Sequence, residues 1–104
     1  MKVGKMRYRI TFETLVSTID TAGFTTEEWI THQTVWADMV PATGKEFIAA
    51  AQTVAEVSTK IYIRYQKGLN PSMRIRYEER IFDIQSILPD ERQGMITILS
   101  KEVT

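Results

Sequence analysis

Apolar side chains recur at every second position in six short segments of this 104-residue chain, and that spacing constrains the fold more than any other feature. Successive residues of an extended strand point to opposite faces, so a period of two marks a strand with one dry side and one wet side. In the first segment Tyr8, Ile10 and Phe12 alternate with Arg7, Arg9, Thr11 and Glu13. In the second, residues 29–40, Val35, Ala37 and Met39 lie on one side and Trp36, Asp38 and Val40 on the other. Pro41 follows, and its lack of an amide hydrogen is expected to stop the strand. Thr59, Ile61, Ile63 and Tyr65 alternate with Lys60, Tyr62 and Arg64, and Met73, Ile75 and Tyr77 with Arg74, Arg76 and Glu78. Phe82 and Ile84 face inward over residues 81–88 with Asp83 and Gln85 outward, and residues 95–102 close the series with Ile96 and Ile98 opposing Thr97 and Leu99.

The segments between these strands carry different signals. Residues 16–28 are rich in Thr, weakly periodic and interrupted by Gly23, which predicts a long mobile loop. After Pro41 the period changes. Thr43 with Glu46 three residues on forms a capping box, Ala49, Ala50 and Ala51 favour helix, and Phe47, Ala50, Ala51 and Val54 share one face. A helix over about 44–55 is expected. Gly68 and Asn70-Pro71 then supply turn chemistry between the third and fourth strands, predicting a hairpin whose two arms repeat Ile-Arg-Tyr, at 63–65 and 75–77. That hairpin would crowd Lys60, Arg64, Arg74 and Arg76 on one surface and call for an anion nearby: Glu78, Asp83, a neighbouring subunit's acidic segment or phosphate. The whole pattern describes a mainly β protein, a small six-stranded antiparallel barrel or sandwich with one short helix between strands two and three. The length suits one such domain over residues 1–104.

Formal net charge is zero, which disfavours a surface that simply coats nucleic acid, but the charge is blocked along the chain. Residues 1–9 carry four bases; residues 10–58 carry seven acids against Lys45. Residues 59–80 carry six bases against Glu78 and Glu79. Opposite-sign blocks can attract copies of the same protein. The chain has no cysteine, so neither a disulfide framework nor a thiolate ligand is available. It shows no apolar run of signal-peptide or membrane-spanning length, so secretion and membrane insertion are not expected.

Reaction chemistry finds little support. His32 is the sole imidazole and reads better as a half-exposed strand residue than as a metal ligand or base. The five glycines are scattered singly rather than forming a phosphate loop. Glu27-Glu28 and Glu78-Glu79 are neighbours on extended chain, so their carboxylates point apart. Tyr62 shares a face with basic residues, which raises a small single-strand nucleic-acid-binding barrel as the alternative reading. No enzyme activity and no cofactor are expected.

The ordered string of motifs resembles the head-tail joining proteins (head-tail adaptors or head-closure stoppers) of long-tailed bacteriophages and prophages. Arg9-Ile10-Thr11 opens it, followed by Gly23, Trp29, Val35-Trp36-Ala37, and Gly44 with Glu46 before Ala50, Ala51 and Gln52. Ile63-Arg64-Tyr65, Gly68, Pro71, Arg74-Ile75-Arg76-Tyr77, Phe82-Asp83-Ile84 and Pro89-Asp90-Glu91-Arg92 continue it. Two positions depart from the pattern: Glu78-Glu79 stands where Gly is frequent, and Ser100 where Cys is frequent. The resemblance implies a small β-barrel and a non-enzymatic virion component, assembled in the host cytoplasm as a ring, commonly twelve-fold, at the head-tail interface. It implies contacts with sister subunits, with a portal or adaptor protein, and with a tail-completion or tail-tube protein. Packaged double-stranded DNA is a further expected contact. The residues expected at subunit or partner interfaces are Asp20, Glu27, Glu28, Glu46, Lys60, Arg64, Arg74 and Arg76.

Overall fold

In the computed structural model, residues 6–41 and 58–103 are described. They contain strands β1 (Tyr8–Ile19), β2 (Thr25–Pro41), β3 (Thr59–Arg64), β4 (Arg74–Tyr77), β5 (Arg80–Asp90) and β6 (Met95–Val103). All neighbours are antiparallel, and the sheet closes on itself in the order β1-β2-β3-β6-β5-β4. Closure removes the open edges that an antiparallel sheet would otherwise expose. The expected helix over 44–55 lies outside the described residues.

Alternation fills the barrel as the sequence requires. Ile10, Phe12, Ala37, Ile61, Ile63, Ile75, Phe82 and Ile98 are fully buried, with Val35, Met39 and Tyr77 packed against them. Each large side chain withdrawn from water contributes about 1.5–3 kcal/mol. Ser100 is also fully buried, and its hydroxyl donates to the Thr59 carbonyl at 2.9 Å, so the polar atom carries its own partner inside.

The expected hairpin between the third and fourth strands does not form. β3 pairs with β2 and β6, whereas β4 pairs with β1 and β5, so the two Ile-Arg-Tyr copies occupy opposite walls of the barrel. Both copies still turn Ile inward and Arg outward. The connection between them crosses the barrel mouth instead of turning tightly: Met73 is buried, and Tyr65 and Leu69 pack on the core. Apolar residues in a connector are better covered over an open mouth than in a solvent-exposed turn.

Residues 16–28 are likewise mostly strand rather than loop. Glu13–Ile19 pairs residue by residue with Thr25–Thr31, and only 20–24 turn the chain. Asp20 fixes that turn by accepting the Ala22 and Phe24 amides at 2.9 and 2.8 Å, while Gly23 takes φ 86°. β1 meets β4 only over Thr11–Glu13, and β2 meets β3 only from Ala37 onward. The ribbon of 14–19 and 25–30 therefore projects beyond the barrel as a two-stranded arm. Six residues of strand span about 20 Å, which accounts for most of the excess of the 51 Å long axis over the 26 and 25 Å widths.

A bulge sits where the arm leaves the barrel. Phe12 opposes Gln33 and Glu13 opposes Thr31, so His32 is an extra residue. One inserted residue reverses the facing of everything beyond it. Trp29, odd-numbered like Val35 and Ala37, is thereby placed on the outer face beside Glu13 and Leu15. A second bulge at Gln85 lets both Ile84 and Ile87 reach the interior.

Candidate functional site

Among the described residues the outer surface carries the notable chemistry. Among the described residues no group of three or more His, Cys, Asp or Glu side chains could hold a metal. His32 is exposed on the bulge, beside Gly68. Tyr62 is half-buried on the outer face of β3, opposite Asp38 and Thr97.

The basic residues expected to crowd one surface are divided between two walls, because β3 and β4 are not neighbours. On the β1/β4 wall, Glu13 is 4% exposed and accepts from Arg74 Nε at 2.7 Å, with Arg76 Nε at 3.5 Å from its second oxygen. Arg74 also stacks 4.3 Å over the Trp29 ring. Register extends this cluster into a row of alternating sign, Glu13, Arg74, Asp83 and Lys101, across four adjacent strands. Glu13 was not singled out from sequence as an anion partner, whereas Asp83 was; alternation had marked Glu13 only as an outward residue.

The β1/β2/β3 wall is different. Arg9 lies opposite Trp36 with its guanidinium 5.2 Å from the ring, and Arg64 and Met6 join Trp36 around a shallow recess of about 260 Å³. Trp36 is 52% exposed. Neither Arg9 nor Arg64 has a carboxylate partner among the described residues. Lys60 lies further along the same strand face, opposite Val40 and Leu99.

The arm brings together three of the acidic candidates. Asp20 is in its turn, and Glu27 and Glu28 oppose Ser17 and Val16 on alternate faces, all exposed. No Lys or Arg occurs between residues 14 and 31. The tip adds Ile19 and Phe24, 74% and 70% exposed. Glu46 lies outside the described residues.

Two more polar contacts mark the barrel ends. Arg80 grips Glu102 through two bonds of 3.0 and 2.8 Å, which holds the Glu102 carboxyl below its ordinary range and the Arg80 guanidinium above its own. The Tyr65 hydroxyl donates to Glu91 at 2.7 Å, and that bond, with burial and the carboxylate's charge, raises the phenol above its usual value.

These features define a class: a small closed antiparallel barrel with a projecting acidic arm and a divided basic exterior. Its family is given by sequence, because residues 1–103 match the phage head completion proteins, and the chain belongs to that family of structural virion proteins. The solution structure of protein SF1141 from Shigella flexneri 2a is similar at 33% identity and TM-score 0.83, covering 98% of this chain and 96% of that one. A chain of the virion of a native gene transfer agent particle shares the fold at 22% identity and TM-score 0.66, covering 96% and 97%. No curated protein gives a significant sequence match.

Proposed function

We propose that the chain is a subunit of a ring, twelve-fold in the virion, that joins the phage head to the tail and helps close the DNA exit channel. The observation that carries this reading is the family match over residues 1–103, which spans the barrel, the arm and the intervening segment alike. The geometry supports it: the core is consumed in closing the barrel, leaving an arm and two charged walls facing outward. The whole chain acts as one barrel unit, with a portal or adaptor protein on one side, a tail-completion or tail-tube protein on the other, and packaged double-stranded DNA in the channel.

In this reading Asp20, Glu27, Glu28 and Glu46 supply the acidic side chains, and Lys60 and Arg64 the basic ones, for contacts between copies or with partner rings, while Arg74 and Arg76, already held by Glu13, contribute less to them. An off-axis contact between two different patches generates a ring when its rotation closes. Negative-stain microscopy of the purified protein mixed with its portal rings tests this. An added annular layer on the portal is expected. Portals that remain bare at saturating protein would refute the assignment.

A further inference from the structure

We infer that each arm seats its tip on the Arg9–Trp36–Arg64 wall of the next copy, an inference that rests on the ring reading above. The arm carries Asp20, Glu27 and Glu28 with no base between residues 14 and 31, and it ends in the exposed apolar pair Ile19 and Phe24. Such a ribbon is marginal by itself in water, because two strands without a third neighbour bury little. Its tip gains by finding an apolar recess rimmed with cations.

The chain offers such a recess, and none of its own described acids pairs with the cations there. Met6 and Trp36 supply apolar surface, and Arg9 and Arg64 supply charge without a carboxylate partner among the described residues. Asp38, the nearest acid on that face of β2, lies opposite Tyr62. Arg9 and Ile19 belong to one continuous strand, ten residues or about 33 Å apart, so the tip cannot bend back to its own wall. A second copy is the occupant that sequence charge and rigid geometry together select. The arm's projection of about 20 Å nearly matches the 25 Å width of a neighbouring subunit, so one arm crosses one wall. The other basic wall is a poorer target, since Glu13 already sits between Arg74 and Arg76.

The absence of cysteine gives a clean test. Thr25→Cys beside the tip and Met6→Cys in the recess are placed in one chain, assembled on portal rings and mildly oxidised. A ladder of linked subunits extending beyond the dimer is expected. Glu27→Lys with Glu28→Lys should abolish the ladder, and adding Arg9→Glu with Arg64→Glu should restore it. An annular layer seen by microscopy but no ladder would overturn the arm contact while leaving the ring reading standing. A ladder that stops at the dimer would overturn it in favour of a two-fold exchange. Cysteines shielded by a single-stranded oligonucleotide, with loss of shielding on Trp36→Ala, would overturn it in favour of base stacking on Trp36. Bare portals would remove both readings together.

Discussion

Replacing Glu13 by Gln tests whether the basic wall of β4 is balanced within the subunit. The substitution keeps shape and removes charge, so packing changes little. What is lost is a charge-assisted bond of 2.7 Å to Arg74 and the attraction of Arg76 at 3.5 Å. Arg74 and Arg76 then share a face of one strand with only Asp83, opposite Arg74 on β5, as a neighbouring anion. A fully buried pair broken this way costs about 3–5 kcal/mol. Here the arginine side chains are 25% and 49% exposed, so water recovers part of the loss. A cost of about 1.5–3 kcal/mol follows, which lowers Tm by roughly 6–12 °C in a chain this size. Urea unfolding at neutral pH, followed by circular dichroism and by Trp fluorescence, measures it. Arg64→Met, which removes a cation without an ion pair, should change stability by no more than about 0.5 kcal/mol. If Glu13→Gln is as mild as Arg64→Met, and a cycle with Arg74→Met shows no coupling, the cluster is an ordinary surface pair and the reasoning fails.

Phe82 is fully buried, and Phe82→Ala should cost about 3–5 kcal/mol in the same urea assay; a loss below about 1.5 would mean the core collapses around the gap. Glu78 holds φ 55° in the two-residue turn of β4 and β5, so Glu78→Gly should raise stability by about 0.5–1 kcal/mol, and a decrease would show that its side chain has work there. The raised Tyr65 phenol contributes stability that is complete below its unfolded value and lost as pH rises through its higher folded value. Glu91→Gln should therefore flatten the alkaline fall in stability, and an ultraviolet titration of the phenol should move down toward 10.0. Arm amides should exchange with solvent faster than those of β6, and Phe24→Ser should leave the unfolding midpoint of the isolated chain unchanged; slow exchange at the tip would place it against something already in the monomer.

Much of the barrel was legible because a period of two is a direct record of which side chains face inward. Six strands appear near their expected positions, and Val35, Ala37 and Met39 face the interior as the alternation requires. The arm was misread for a physical reason. Both of its faces are wet, so residues 16–28 have no dry side to impose alternation, and Thr appears on each. β-branched Thr and Val were the signal available, with Asp20 and Gly23 marking a turn. The misplaced hairpin has another cause. Gly68 and Asn70-Pro71 do bend the chain, but local turn chemistry does not say which strand comes next in a closed sheet. Leu69 and Met73 were the clue, since two apolar residues in a supposed surface turn had to be covered by something. The bulge at His32 was invisible for a third reason: one inserted residue changes the facing of Trp29 without changing any composition.

The charges consequently fall into two populations that the linear blocks had merged. One is spent inside the subunit: Glu13 on Arg74 and Arg76, and Glu102 on Arg80. The other has no ion-pair partner among the described residues: Glu27 and Glu28 on the arm, Arg9 and Arg64 beside Trp36. Internal pairing blunts like-charge repulsion across neighbouring strands, which a barrel must do to close. Charges left outward cost little in a lone subunit, because each is exposed to solvent, and they acquire consequences only when a second surface desolvates them. Reversals in the first group should therefore register in unfolding experiments and reversals in the second in assembly experiments. A single substitution that moved only assembly from the first group, or only stability from the second, would show that the barrel walls had been divided wrongly.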